Sequence, residues 1–201
     1  MSALSPSCIE PARIGPNSVT QLGETLLAHG ERALARQVYL RAGHPDWLAS
    51  PPEEMIAEQD AARVHAALSD LVDPDRACAF VREAGMRTGD YILANRIPKT
   101  ARMLLRLMPA PIAAKLLVEA ISSHAWTFAG SGRFRYELSR PVLLEIADNP
   151  LADQHGCVWH AAVFQRLFQS LVRAETSVRE SACSGSGAAV CRFEVDWPRG
   201  H

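Results

Sequence analysis

The spacing of apolar residues changes near residue 125, and this change restricts the fold more than any other feature of the chain. Before it, apolar side chains recur at helical intervals. After it, several stretches alternate with period two around glycine turns. Val19, Leu22, Leu26, Leu34 and Val38 predict a helix that opens on the capping-box spacing of Ser18 and Gln21 and closes at Gly43 and Pro45. Ser50-Pro51-Pro52-Glu53 is a second start signal, and Val64, Leu68, Leu71 and Val72 form the stripe of the helix that follows. Asp73-Pro74 starts another, with Ala77, Phe80, Val81 and Ala84 inward and Gly85 and Gly89 spaced for a close helix approach. Pro98 and Pro111 restart helices, so 99–122 reads as two pieces broken near Met108-Pro109. Five or six helical segments therefore precede residue 125.

Beyond that point, "AWTFAGSGRFRYEL" predicts a hairpin. Trp126 and Phe128 lie on one arm, Gly130-Ser131-Gly132 forms the turn, and Phe134, Tyr136 and Leu138 lie on the other arm. "PVLLEIADNP" reads as a third strand and "DQHGCVWHAAVFQRLFQSLV" as a helix. "AETSVRESAC" and "AVCRFEVDW" read as two last strands joined by the Gly185–Gly187 loop. The order predicts an α+β fold, a helical bundle packed on one side of an antiparallel sheet of about four to five strands. Residues 1–15 are expected to be an irregular leader and 16–198 a single ligand-binding domain.

A formal net charge of −1 provides no global basic field for nucleic acid. No apolar run reaches the roughly 20 residues of a membrane span, and the N-terminus lacks a signal-peptide pattern, so a cytoplasmic protein is expected. Five cysteines, an odd number, in a reducing compartment argue against a disulfide framework. Cys8 falls in the leader, and Cys78 reads as a small buried residue of a helix.

The other three cysteines converge in the predicted topology. Cys157 starts the late helix, Cys183 and Cys191 flank the last hairpin loop, and Glu180 precedes Cys183 by three. Thiolate, imidazole and carboxylate are the groups that bind zinc, and a closed site wants four of them. Glu180 has the wrong strand parity to point with Cys183 unless a bulge intervenes. His155 and His160 are alternative ligands. Spacing alone leaves two readings, a metal site or small cysteines packed at a sheet end.

Glu-x-x-Cys-x(7)-Cys-x-Phe-x-Val, from Glu180 to Val195, preceded by a cysteine on a helix, resembles the 4-vinyl reductase domain family. That domain also occurs in sensory modules of phenol-responsive transcription activators, where a helix cysteine, a glutamate and two further cysteines bind one structural zinc. The resemblance implies the same role for Cys157, Glu180, Cys183 and Cys191. The opening "ARIGPNSVTQLGETLLAHG" is similar, more narrowly, to the bacteriochlorophyll biosynthesis protein J group, labelled a 4-vinyl (8-vinyl) reductase of protochlorophyllide. The likeness spans roughly residues 15–197. It implies the ligand-binding fold shared with nitric-oxide-sensing haem domains and Golgi-transport subunits, with a pocket between helices and sheet.

The residues themselves offer little for a reductase. Hydride transfer normally draws on a nicotinamide or flavin cofactor. The Gly-Ser-Gly stretches at 130–132 and 185–187 lie between predicted strands and do not form the strand–GxGxxG–helix fingerprint. No iron–sulfur spacing is present. A binding role fits better. A tetrapyrrole pocket calls for aromatic walls, a cation for the propionates and a donor near the magnesium. Trp126 and Tyr136 are candidate walls, His124 a candidate donor, and Phe128 and Phe134 read as core. Seven basic residues lie between 82 and 115 against Glu83 and Asp90, and Lys99, Arg102 and Arg106 share one helical face. That face can meet a propionate, an acidic partner enzyme or an anionic membrane surface, or it can simply be solvated.

The resemblance and these residues together predict a zinc-stabilised protein of bacteriochlorophyll biosynthesis. It would bind a magnesium porphyrin, protochlorophyllide or chlorophyllide and present it to a pathway enzyme, with at most peripheral membrane contact and a homodimer among the expected assemblies. The alternatives are an 8-vinyl reductase using an external electron donor, and a regulatory small-molecule sensor acting through a partner.

Overall fold

The computed structural model of the protein describes residues 11–153 and 157–198. Cys8, most of the expected leader and His155 lie outside the described residues. The architecture is α+β, as predicted, with helices laid on an antiparallel sheet.

Arg13–Ile14 (β1), expected to end an irregular leader, instead pair antiparallel with Ile56–Ala57 (β2). The first predicted helix is two helices, α1 (Asn17–Ala28) and α2 (Arg32–Arg41). Gly30 takes φ 76°, and the amides of Gly30 and Glu31 bond the carbonyls of Leu27 and Leu26 at 3.0 and 2.9 Å. This is a Schellman closure in mid-segment. The capping box is not formed. Pro16 already has helical backbone angles and accepts from the Val19 and Thr20 amides, which leaves Ser18 inside the helix and buried.

Helix α3 runs Glu58–Leu71, beginning after the proline pair rather than on it. The strand pairing of β2 holds Ala57 extended, and the Glu58 amide bonds Ala12 O at 2.9 Å, so the helix cannot start earlier. Asp73 caps α4 (Pro74–Asn95) as predicted, accepting from the Arg76 amide at 3.0 Å. Helices α5 (Lys99–Leu107) and α6 (Ala110–Ser123) follow the predicted break.

Trp126–Ala129 (α7) is one helical turn and not the first arm of a hairpin. The amides of Thr127, Phe128 and Ala129 bond back to His124 and Ala125, and Thr127 O accepts from Gly15 at 2.7 Å. The buried Glu58 carboxylate then takes the Ser131 amide and hydroxyl at 2.7 and 2.8 Å. These contacts bend the chain at 130–132 before it can pair. The hairpin is formed instead by β3 (Arg133–Glu137) and β4 (Val142–Ala147) around Leu138–Pro141, with a cis Arg140–Pro141 bond. Helix α8 (Val158–Leu171), β5 (Ser177–Ala182) and β6 (Cys191–Asp196) complete the chain.

The main sheet has the order β3-β4-β6-β5, all antiparallel. Val142, Leu144 and Ile146 of β4 and Cys191, Phe193 and Val195 of β6 are buried on one face, in register Leu144↔Phe193 and Ile146↔Cys191. Helix α8 covers that face with Phe164, Phe168 and Leu171. Helix α4 crosses α8 closely. A Cβ on Gly85 would lie 2.6 Å from Trp159 O, and one on Gly89 2.6 Å from Arg166 Cβ, so the spaced glycines do permit the approach the sequence suggested. Among the described residues, no helix is long and apolar enough to cross a membrane.

Candidate functional site

Three chain segments deliver the cysteines to one end of the sheet. Cys157 precedes the first turn of α8, Cys191 opens β6, and Cys183 follows β5 at the mouth of the turn Ser184–Ser186. All three are buried. Cys157 Sγ lies 2.8 Å from Cys191 Sγ and 3.3 Å from Cys183 Sγ, and the last pair are 3.9 Å apart. Among the described residues this is the group of ligand-type side chains whose donor atoms all lie within 4.8 Å of one another, a set able to hold a metal ion.

A ring of polar donors surrounds the sulfurs. The Asn149 side-chain amide is 3.2 Å from Cys157 Sγ and 3.5 Å from Cys191 Sγ, while Asn149 Oδ1 accepts from the Leu151 amide at 3.1 Å. Ser184 adds its amide at 3.4 Å and its hydroxyl at 3.1 Å to Cys191 Sγ. With Cys157, these donors push the Cys191 thiol down to about 5 against the opposing effect of burial. Cys157, which donates to Cys191 and is itself buried, is pushed far up. Burial raises Cys183 to about 11. The trio therefore holds its first negative charge on Cys191.

Both oxygens of Glu180 accept from the Cys157 amide, at 2.9 and 3.0 Å. The carboxylate stands at the start of α8, where the helix dipole favours it. It is not a member of the close group of donors. The register between β5 and β6 shifts at Glu180/Ala182, which is the irregularity its strand parity demands. His160, one turn into α8, is buried. Its Nε2 is 3.4 Å from Phe128 O and its Nδ1 3.4 Å from the Asn149 amide. A carbonyl can only accept, so Nε2 carries the proton and Nδ1 accepts from Asn149. Burial pushes His160 down to about 3. His160 thus touches the cysteines through Asn149. Asn149 and Ser184 were not foreseen: Asn149-Pro150 reads in sequence only as a strand end, and a loop serine carries no signal.

The remaining candidates lie elsewhere. Phe128 and Phe134 meet edge to face at 5.6 Å, and both rings reach Phe164, so they belong to the core as expected. Trp126 is 60% exposed and Tyr136 38%. His124 is exposed at the end of α6, with Nδ1 2.9 Å from Ala120 O. Its Nδ1 therefore carries the proton and its Nε2 keeps a lone pair facing away from that bond. Lys99, Arg102 and Arg106 stand on α5, and Arg106 Nε donates to Ser170 O at 2.8 Å.

The 4-vinyl reductase domain family matches residues 144–196, the segment from β4 to β6 that contains the cysteine site. Across nearly the whole chain, similarity extends to two proteins named bacteriochlorophyll synthase 23 kDa chain. The one from Cereibacter sphaeroides is 46% identical over 188 residues, covering 91% of this chain and 90% of its own. The one from Rhodobacter capsulatus is 43% identical over 204 residues, covering 99% and 93%. A solved structure described as "Probing the function of heme distortion in the H-NOX family" superposes with a TM-score of 0.53 at 15% identity, covering 90% of this chain and 93% of that one, so the two share a fold. With this fold, this cysteine-bearing segment and end-to-end similarity to both relatives, the chain belongs to the bacteriochlorophyll synthase 23 kDa chain family, whose C-terminal part here is a 4-vinyl reductase domain.

Proposed function

We propose that the protein serves bacteriochlorophyll biosynthesis by binding a magnesium tetrapyrrole intermediate on an exposed aromatic face and presenting it to a pathway enzyme, with a structural zinc at the cysteine site. Its place in the pathway rests on the names of its relatives. The observation that carries the binding role is Trp126, a large indole left mostly in water two positions from the imidazole of His124. Tyr136 and Leu138 at the end of β3 are exposed as well. Flat aromatic side chains at the surface suit a flat ring. The lone pair on His124 Nε2 suits its central magnesium, and Lys99 and Arg102 suit its propionates. The interior between α8 and the sheet is filled by the rings of Phe128, Phe134, Phe164, Phe193 and His160, which favours a surface site.

The donor set fits zinc. Four-coordinate zinc with bonds of about 2.3 Å to sulfur separates its thiolates by about 3.8 Å. The Cys183–Cys191 pair already stands at 3.9 Å, and Cys157 needs to move outward by about 1 Å or less. Glu180, at the Cys157 amide, is the proposed fourth ligand. Zinc there supplies a cross-link between α8 and the last hairpin. Asn149 and Ser184 orient the sulfur lone pairs.

Titration with magnesium protoporphyrin, followed by absorbance and tryptophan quenching, tests the reading. Saturable binding in the micromolar range is expected, weakened about tenfold in a Trp126→Ala/Tyr136→Ala variant. No spectral change at micromolar pigment would sink the carrier role. Conversion of divinyl to monovinyl pigment with NADPH or reduced ferredoxin would establish the reductase instead. Elemental analysis should find about one zinc per chain, lost in Cys183→Ser and Cys191→Ser variants that are also less stable.

A further inference from the structure

Helix α5 is the outlier of the fold. None of its residues is buried, and its principal packing partner is α8. Successive helical residues turn by about 100°, which divides α5 into three faces. Ala101 and Leu105 lie on one, and both are shielded from full exposure. Met103, Leu104 and Leu107 lie on the opposite side, at 62, 56 and 78% exposure. Lys99, Arg102 and Arg106 occupy the flank between them. Ile112 and Leu116 of α6 extend the exposed apolar surface past the Met108-Pro109 break. Scattered exposed leucines are ordinary, but five large aliphatic side chains within fourteen residues are not.

The charge around this surface has one sign. From Tyr91 to Val118 the chain carries Arg96, Lys99, Arg102, Arg106 and Lys115 and no acidic residue, although the whole chain has net charge −1. Among the described residues no carboxylate pairs with Lys99 or Arg102. Lys99 and Arg102 also sit in the first turn and a half of α5, with no acidic residue there, where a helix dipole disfavours cations. The arrangement costs the isolated helix stability, so its benefit must come from outside.

We propose that α5, with the start of α6, is a docking element for an anionic lipid bilayer. An apolar face of leucine and methionine bordered by lysine and arginine is the pattern of a helix lying in the plane of a membrane interface. The aliphatic side chains enter the acyl boundary and the basic flank pairs with headgroup phosphates. Protein interfaces are rich in aromatic anchors, and α5 has none. A lipid surface accepts featureless aliphatic groups as readily as any others. Docking here does not depend on pigment binding, and it would hold the protein where an apolar pigment partitions.

The test is sedimentation of the pigment-free, metal-loaded protein with vesicles of phosphatidylcholine alone and of phosphatidylcholine with phosphatidylglycerol. Three basic side chains correspond to a preference of roughly a hundredfold for the anionic vesicles at low salt, falling as salt is raised. Leu104→Ser/Leu107→Ser and Lys99→Glu/Arg102→Glu should each lower binding at least tenfold. Both pairs are exposed, so circular dichroism and melting should match the parent. Equal binding to both vesicle types, binding to neither, or full binding by either variant overturns the proposal. So does self-association, or capture of an acidic protein, that the leucine variant abolishes while vesicles are ignored. Failure of the pigment titration leaves this result standing, and the reverse also holds.

Discussion

Glu180 and Cys157 are joined through the main chain: both carboxylate oxygens accept the amide of the cysteine, at 2.9 and 3.0 Å, beside the three sulfurs. One side chain thus caps α8 and stands within reach of the metal site. Two substitutions separate these roles. Glu180→Gln keeps an acceptor for the amide and should cost under about 1 kcal/mol of stability, whereas Glu180→Ala leaves the amide uncapped and should cost about 1–2 kcal/mol. Zinc affinity, measured by competition with a chromophoric chelator, should fall at least tenfold in both. Parent-like affinity in Glu180→Gln would make the residue a cap and no ligand.

Asn149 links every part of the centre, donating toward Cys157 and Cys191 and accepting from Leu151. Asn149→Leu removes those bonds in a buried site. The expected loss is about 1–3 kcal/mol in denaturant unfolding, with faster release of zinc to a chelator. Unchanged release kinetics would show that the amide does not steer the sulfurs.

The turn Ser184–Ser186 reaches the cysteines because Gly185 has no side chain. A Cβ there would lie 2.0 Å from Asp153 O and 2.4 Å from its carbon, both backbone atoms. Gly185→Ala must therefore displace either the turn or the loop before α8. A loss of about 2 kcal/mol or more is expected, seen as a melting point several degrees lower, together with weaker metal retention. A melt indistinguishable from the parent would contradict this packing.

His160 takes its proton in the folded protein near pH 3, because burial opposes the charge, while the unfolded chain takes it near the ordinary value of 6.5. Burial lowers His65 in the same direction. Between these pH values the unfolded chain binds more protons, so stability present above pH 6.5 drains away as pH falls toward 3. The slope is up to about 1.4 kcal/mol per pH unit for each such histidine. Denaturant midpoints measured from pH 7 to 4 should decline accordingly. His160→Gln should flatten the decline by about one histidine's share, and an unaltered slope would count against it.

Much of this was written in local pattern. Asp73-Pro74 started a helix where its cap chemistry said it would, and the pairs Gly85/Gly89 and Pro98/Pro109 marked a close crossing and a break. The strands β4, β5 and β6 followed their alternation. These signals act within a few residues, through caps, dihedral limits and periodicity, and they need no partner. The three cysteines were legible as a set because a helix start and a hairpin place their members predictably.

Other features belonged to the tertiary structure. Trp126–Ala129 alternates like a strand yet folds as a helical turn, because Gly15 and Glu58 bind the chain on either side of it. Ser50–Glu53 reads as a helix start yet does not open one, because β1 pairs with β2 just downstream. Asn149 and Ser184 became part of the centre only when four distant segments met. The outward face of α5 is visible as amphipathic sequence, but that it faces water rather than the core was decided by where α8 left room. The sequence by itself determined the class of fold, the helix breaks and the cysteine set, since each rests on energies local to the chain. Which pairings prevail, which polar groups gather around the sulfurs and which apolar face stays exposed depend on contacts between segments far apart in sequence, and only the folded structure resolves that competition.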